Sequence, residues 1–122
     1  MLKLIEMDDA VTLQQQMSLE AGPVILINEL KVKPGEADQL IDAWATDAAF
    51  LKQQPGFISA QLHRGIGGSG VFINYAVWQS VADFRQAFSR PEFRNSLEAY
   101  PPSTVASPHL FHKIAVPNIC VS

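Results

Sequence analysis

The chain has 122 residues, enough for one domain and too few for two of ordinary size. Its formal net charge of −3 at pH 7 argues against a nucleic-acid-binding protein, which normally presents a basic face. Apolar residues make up 48% of the chain and charged residues 17%, below the charged share of about 25% that is typical of soluble domains. The sequence is therefore expected to bury more apolar surface than a monomer of this size needs.

Disulfides, membrane spans and export signals are also argued against. Cys120 is a single cysteine, which excludes an intramolecular disulfide and a multi-cysteine metal site. No apolar run reaches the roughly 18 residues of a membrane span. Asp8 and Asp9 follow too soon after the N-terminus for a signal peptide. We therefore expect a cytoplasmic protein that binds neither membranes nor nucleic acids.

The first 22 residues carry the weakest pattern, and residues 1–22 are expected to form an N-terminal extension. Asp8 or Asp9 could cap a short helix that ends near Gly22. A disordered arm, or an arm that embraces a partner, fits the same residues.

The pattern becomes clear from residue 24. Val24 to Val32 predicts a strand that Pro34-Gly35 closes. A helix is expected from Glu36 to Gln53, because apolar residues recur there at spacings of three and four. This stripe consists of Ala37, Leu40, Ile41, Trp44, Ala48 and Leu51. Pro55-Gly56 ends the helix.

A hairpin and a second helical region follow. Strands are predicted at 57–64 and 71–78, joined by a glycine-rich loop. Ser80 to Asp83 resembles a capping box, with Asp83 in place of the usual Glu or Gln, and opens a helix that Pro91 restarts. A last strand is predicted from Leu110 to Val116, before a C-terminal tail at 118–122.

The resulting order, β-α-β-β-α-β, predicts an α+β, ferredoxin-like fold with both helices on one face of a four-stranded antiparallel sheet. The first and third predicted strands are apolar on both faces, and the helices can cover only one. The uncovered face would carry Ile25, Ile27, Val71, Ile73 and Val77. Because most soluble oligomers are symmetric homodimers, we expect a second copy of the chain to cover it.

Two motifs that suggest a nucleotide or a metal have simpler explanations. The loop 65–70 matches the GxGxxG string of dinucleotide-binding proteins, but a strand follows it where that motif requires a helix. We therefore expect a hairpin turn. His109 and His112 would point to opposite faces of a strand, and His63 has no ligand-spaced neighbour. Neither a cofactor nor a metal is expected.

Polar side chains interrupt one face of the third predicted strand. Phe72, Asn74, Ala76 and Trp78 share this face by strand alternation, and Asn28 takes the matching face of the first strand. An asparagine on an apolar face costs free energy unless its amide finds partners. An apolar pocket with a few polar groups is the usual form of a small-molecule site. In the structural alternative, both asparagines bond to the backbone at strand irregularities and Trp78 belongs to the core.

Four stretches of the chain resemble the antibiotic biosynthesis monooxygenase family. They are Lys33-Pro34-Gly35, Pro55-Gly56-Phe57, Tyr75 to Ser80 followed by Phe84 and Phe88, and Pro91-x-Phe93. The resemblance covers about residues 23–117, which we expect to form the family's domain. It implies a dimeric α+β barrel built from the ferredoxin-like fold.

The resemblance also implies a chemistry and the residues that perform it. Some members oxidise anthrone-type aromatic polyketides without metal, flavin or haem, and use an Asn four residues before the Trp, a spacing that Asn74 and Trp78 match. These two residues would hydrogen-bond a substrate oxygen or a peroxy intermediate, and Asn28 and Phe72 would bind the substrate. His63 is the candidate general base, because histidine titrates near neutral pH. Whether His63 faces the pocket depends on a bulge in the hairpin.

The leading hypothesis is a cofactor-independent monooxygenase that acts on a small aromatic or quinol-type substrate with O2. A haem-degrading branch also has an Asn and a Trp at the positions of Asn28 and Trp78, but it needs a histidine where this chain has Leu97. A non-catalytic ligand-binding or stress-response dimer of the same fold is the alternative. An isomerase or decarboxylase would lack a recognisable acid–base pair.

Overall fold

A computed structural model describes residues 2–122. In chain order the elements are β1 (Lys3–Leu4), α1 (Leu13–Met17), β2 (Val24–Lys31), α2 (Ala37–Leu51), β3 (Phe57–Arg64), β4 (Val71–Trp78), α3 (Val81–Phe88), α4 (Pro91–Ser96) and β5 (Val105–Phe111). A 3-10 turn, Pro34–Glu36, precedes α2, and another, Leu97–Ala99, follows α4.

The strands form one sheet in the order β1-β5-β2-β4-β3. The pairs β5–β2, β2–β4 and β4–β3 are antiparallel, and β1 pairs with β5 in parallel. The β-α-β-β-α-β order and the α+β, ferredoxin-like fold are therefore confirmed. The expected purely antiparallel sheet is wrong at one edge, because the N-terminal segment adds a short parallel strand and makes the sheet mixed.

The N-terminal segment contains the expected short helix with a different cap. Thr12 caps α1 by accepting a hydrogen bond from the N–H of Gln15 at 3.2 Å, while the Gln15 side chain accepts the N–H of Thr12 at 2.8 Å. Asp8 instead accepts the N–H of Ala10 in a local turn. The reciprocal pair fixes the start of α1, which ends at Met17, well before Gly22.

The last strand runs from Val105 to Phe111, so its predicted position at Leu110–Val116 is wrong. Pro108 lies in the middle of this strand, where proline normally argues against a strand. The backbone of Ala106 bonds to the β1 side of the strand, and the backbone of Leu110 bonds to Gln16 of α1 on the same side. Because alternate residues of a strand direct their backbone groups to the same edge, the nitrogen of Pro108 also faces this side, just beyond the end of β1. No ladder bond towards β2 is lost there.

The hairpin and the long helix follow the sequence pattern with small differences. The loop between β3 and β4 turns through Gly67 and Gly68, whose φ values of 80° and 73° suit glycine. In α2, the buried face includes Ala43 and Asp47, whereas Ile41 is 37% exposed. The face that α2 turns to the sheet is thus rotated from the predicted stripe.

Two clusters of buried side chains fill the space between the sheet and the helices. One surrounds Trp78 and Phe84, and the other surrounds Leu40 and Phe72. No helix within residues 2–122 has both the length and the apolar character needed to cross a bilayer.

Candidate active site

An apolar cavity of about 140 Å³ lies between the sheet and the helices. It is lined by residues of β2–β5, of the helical segments and of the N-terminal segment: Leu2, Leu4, Leu13, Leu26, Asn28, Leu30, Trp44, Asp47, Ala48, Leu51, Phe57, Ala60, Asn74, Ala76, Trp78, Phe88, Phe93, Leu97, Tyr100, Ala106 and Pro108. An apolar protein cavity of about 150 Å³ can hold benzene. The volume therefore suits one aromatic ring without rearrangement.

Asn28 and Asn74 lie directly opposite each other on β2 and β4, and both line the cavity. Asn28 Oδ1 accepts the backbone N–H of Ser107 at 3.0 Å, which leaves its NH2 group as the end available to the cavity. Asn74 Oδ1 is buried and has no hydrogen-bond partner. The structural alternative thus describes Asn28 in part, because it does bond to the backbone, but it does not describe Asn74.

Trp78 forms both a wall of the cavity and a part of the core. Its ring packs edge-on against Phe57, Phe84 and Phe88, with centroid distances of 5.5, 6.2 and 6.3 Å. Its Nε1–H is buried without an acceptor. A buried donor that lacks a partner costs about 1–3 kcal/mol, so this N–H is available to a ligand at no loss of an existing bond.

The helix side of the cavity carries a buried carboxyl group. Asp47 on α2 is 4% exposed and lines the cavity. The Ser96 hydroxyl lies against Asp47 Oδ1 and is 2.6 Å from the carbonyl oxygen of Phe93. Burial raises the pKa of Asp47, while hydrogen bonds from Ser96 and Tyr100 act in the opposite direction.

Tyr100 completes this polar group from the segment after the second 3-10 turn. Its pKa is raised because the phenol is buried and faces the negative charge of Asp47. Tyr100 therefore stays a neutral hydrogen-bond donor. Among the described residues that line the cavity, Asp47 and Tyr100 are the ones that can titrate.

Two of the residues singled out from the sequence lie elsewhere. His63 is exposed on the opposite face of the sheet, with its Nδ1 3.3 Å from the carbonyl oxygen of Ile73. The β3 bulge lies between Phe57 and Ser59, and it brings Phe57 to the cavity without turning His63 inward. Phe72 is 1% exposed in the core beside the cavity but does not line it.

The other histidines do not form a metal site. His109 is buried on the outer face of β5, and its Nε2 lies 3.2 Å from Gln16 Nε2. His112 is exposed beyond the end of the strand. Across residues 2–122, no three or more His, Cys, Asp or Glu side chains are grouped so that they could hold a metal ion.

The N-terminal segment closes one side of the cavity with Leu2, Leu4 and Leu13. Besides the pairing of β1 with β5, Gln16 of α1 attaches the segment to β5. Gln16 Nε2 donates to the carbonyl oxygen of Leu110 at 2.9 Å, and Gln16 Oε1 accepts the N–H of Leu110 at 2.9 Å. The side-chain amide of Gln16 thus satisfies both backbone groups of Leu110, as the backbone of a neighbouring strand would.

Sequence reasoning did not find Asp47, Ser96 or Tyr100. The available signal was the place of Asp47 on α2, three residues after Trp44 and four before Leu51, which puts a carboxyl group on an apolar helix face. Such a group is an informative observation, because an aspartate is almost never buried without a partner.

The sequence of this chain is similar to those of known proteins. The sequence profile of antibiotic biosynthesis monooxygenases matches residues 23–99. Deoxynogalonate monooxygenase from Streptomyces nogalater is 33% identical over 75 residues, which cover 62% of this chain and 63% of that protein. Tetracenomycin-F1 monooxygenase from Streptomyces glaucescens is 34% identical over 70 residues, covering 57% of this chain and 62% of that protein.

A solved structure shows the same architecture. SnoaB, a cofactor-independent oxygenase from Streptomyces nogalater, superposes with a TM-score of 0.69 at 26% identity, over 80% of this chain and 99% of SnoaB. The chain spans a little over three fifths of the length of the two curated relatives. With the family profile matching more than half of its residues, the chain belongs to the antibiotic biosynthesis monooxygenase family.

Proposed function

We propose that the protein is a cofactor-independent monooxygenase that acts on a small aromatic or quinol-type substrate with O2. The observation that carries the proposal is the pair of buried, unpartnered polar groups, Asn74 Oδ1 and Trp78 Nε1, on two residues that line a mostly apolar cavity. Buried polar groups are normally hydrogen-bonded, so those that are not require an explanation. A bound substrate hydroxyl supplies one, because it can donate to Asn74 Oδ1 and accept from Trp78 Nε1–H. The names of the relatives support the same class of reaction.

The proposed reaction needs only the substrate and O2. An activated aryl methylene group loses a proton, and the resulting carbanion transfers one electron to O2. The substrate radical and superoxide then combine to a peroxide, which takes up a proton and loses water to leave a ketone. In sum, one methylene group and one molecule of O2 give one ketone carbonyl group and one molecule of water.

The residues of the sheet wall stabilise the negative charge that develops on the substrate. Trp78 Nε1–H is a donor, and the NH2 group of Asn28 is held towards the cavity because its oxygen bonds to Ser107. The amide of Asn74 can rotate by 180° about its last bond and present either an acceptor or a donor. Fixed donors in an apolar site stabilise an oxyanion more strongly than water does.

The size of the cavity restricts the substrate. A single ring fits the present volume, whereas two or three fused rings require the leucines of the N-terminal segment to move. Leu4 is 65% exposed, so little packing opposes its displacement. The proposal therefore favours a small substrate with an activated methylene group, and substrates of two or three fused rings need this displacement of Leu4.

An oxygen electrode tests the proposal with 2-tetralone and anthrone, both of which carry an activated methylene group next to an aromatic ring. We expect enzyme-dependent O2 uptake with at least one of them, and Asn74→Ala should lower it about 100-fold, the usual effect of removing one oxyanion donor. Asn95→Ala, an exposed change on α4, is the matched control and should leave the rate unchanged. Circular dichroism should show that both variants fold.

Binding without O2 uptake would favour the alternative function. If no compound supports uptake above background while 1,4-naphthalenediol quenches the tryptophan fluorescence, the protein binds aromatic ligands without turning them over. That result would replace the monooxygenase proposal by the non-catalytic ligand-binding dimer. If Asn74→Ala unfolds while its activity per folded molecule is unchanged, Asn74 is structural.

We further propose that the chain acts as a homodimer. The sheet face opposite the helices carries Ile27, Ile73, Tyr75 and Val77, all partly exposed, around the buried Ile25. A second copy of the same face would remove this apolar surface from water.

A further inference from the structure

The proposed reaction begins with the loss of a proton, and none of the sheet-wall residues is a base at neutral pH. We propose that Asp47 accepts this proton and that its carboxylate, not His63, is the general base. The inference rests on the proposed function, since it names the group that starts that reaction. In this assignment, a residue of α2 removes the proton, and residues of β2 and β4 stabilise the anion that results.

The position of Asp47 supports this role. Its carboxyl group lies in the helix wall of the cavity, flanked on α2 by the apolar Trp44, Ala48 and Leu51. Asn28, Asn74 and Trp78 belong to the facing sheet wall. A flat aromatic ligand between the two walls therefore meets a proton acceptor on one side and hydrogen-bond donors on the other.

Ser96 can bond to Asp47 before and after the proton transfer. Its hydroxyl lies against Asp47 Oδ1 and 2.6 Å from the carbonyl oxygen of Phe93, and it has one hydrogen to donate. When Asp47 is ionised, the Ser96 hydroxyl donates its hydrogen to the carboxylate. When Asp47 is protonated, the hydroxyl accepts a hydrogen bond from the carboxylic acid and donates its own hydrogen to the carbonyl oxygen of Phe93. The carboxyl group thus keeps its position throughout the cycle.

The groups around Asp47 set its basicity. Burial raises its pKa above the ordinary value of 3.8, which makes the carboxylate a stronger base than one in water. Tyr100 is the other titratable side chain of the cavity, and it remains neutral because burial and Asp47 raise its pKa. No lysine, arginine or histidine lines the cavity among the described residues.

The reaction cycle conserves the proton that Asp47 accepts. The C–H proton moves to a carboxylate oxygen of Asp47, and the electron pair of that bond stays on the substrate, delocalised towards its oxygen atom beside Asn74 and Trp78. After O2 has added, the peroxide takes the proton back from Asp47. The carboxylate is restored, and no other acid or base is consumed.

Proton exchange without oxygen tests the first step alone. We suggest following, by NMR under nitrogen, the exchange of the acidic methylene protons of 2-tetralone and anthrone with D2O. We expect the protein to accelerate the exchange and Asp47→Asn to lower the catalysed rate at least about 100-fold, within the range of general-base contributions. Asp42→Asn, on the exposed side of α2, is the matched control and should exchange like the wild type.

The pH profile separates a base from a structural carboxyl group. A base must be ionised, so the wild-type rate should rise with pH through the raised pKa of Asp47 and then level off. Asp47→Asn should lose this rise. Ser96→Ala removes a hydrogen bond that lowers the pKa, so the rise should move to higher pH in this variant. This shift also tests the proposal if Asp47→Asn does not fold.

Two results would overturn the assignment of Asp47. One is equal catalysed exchange by the wild type and Asp47→Asn, and the other is a lack of exchange by the wild type with both probes. A failure of the monooxygenase proposal would give another result: the protein would catalyse Asp47-dependent proton exchange under nitrogen but would not take up O2 in air. O2 uptake that depends on Asn74 but not on Asp47 would refute the base alone.

Discussion

Asn28 and Asn74 face each other across β2 and β4, and the same substitution should change stability in opposite directions at the two positions. Asn74→Leu replaces an amide whose Oδ1 is buried and unpartnered by an apolar side chain of similar size. Because a buried polar atom without a partner costs about 1–3 kcal/mol, we expect the free energy of unfolding to rise by about 1 kcal/mol. Urea denaturation at pH 7 measures this change.

Asn28→Leu is the matched comparison. It removes the acceptor of the Ser107 N–H, which lies 3.0 Å from Asn28 Oδ1, and leaves that partly buried N–H without this partner. We expect a loss of about 1–2 kcal/mol. If Asn74→Leu is as destabilising as Asn28→Leu, Asn74 holds a structural bond in the free protein and the argument for a ligand at its oxygen fails.

Strand geometry explains how far the site could be predicted from individual residues. Alternation alone places Asn28, Asn74 and Trp78 on one face, because successive side chains of a strand point to opposite sides. The side of His63 depended on where β3 bulges, and nothing in the sequence positions the bulge at Phe57 to Ser59. Asp47 was missed because a stripe counted from apolar residues alone leaves out a carboxyl group in its middle.

At the scale of elements, the N-terminal segment is attached to β5 by the backbone pairing of β1 and, at α1, by the side chain of Gln16. Gln16→Ala removes both hydrogen bonds to Leu110, so the backbone N–H of Leu110 loses its acceptor. We expect this amide to exchange with D2O much faster and the free energy of unfolding to fall by about 1–2 kcal/mol. Hydrogen exchange monitored by NMR at single residues checks the prediction.

Gln14→Ala is the control for this change, since Gln14 lies exposed on the same short helix. It should leave the exchange of Leu110 unchanged and shift stability by less than about 0.5 kcal/mol. Unchanged protection of Leu110 in Gln16→Ala would contradict the attachment. Because Leu13 of the same helix lines the cavity, loosening α1 should also weaken the binding of 1,4-naphthalenediol.

The elements with strong periodic patterns agree with the sequence, and those that depend on distant partners do not. The long helix, the hairpin and the broken second helix were predictable from spacing, glycines and Pro91. β5 was placed too late, because Pro108 argues locally against a strand, and only the edge position of its nitrogen makes the strand possible. β1 has two residues and exists through its pairing with β5.

For the whole molecule, the shortage of charged residues reflects two apolar sheet faces. The helices and the cavity occupy one face, and the other carries Ile27 at its centre, between Tyr75 of β4 and His109 of β5. In a symmetric interface each substitution occurs twice, so a charge introduced at Ile27 would be buried twice within one dimer. Burying a charge without a partner is costly.

We therefore expect the wild-type protein to sediment as a dimer of about 27 kDa, twice the 13.4 kDa of the chain. A protein concentration of about 10 μM suits the measurement, because it lies far above a nanomolar Kd. Ile27→Lys should sediment at the monomer mass with an unchanged circular dichroism spectrum. Ile66→Lys, in the 99% exposed tip of the hairpin, is the matched control and should remain dimeric. A wild-type monomer at this concentration would refute the dimer, and a dimer that persists in Ile27→Lys would move the interface away from this sheet face.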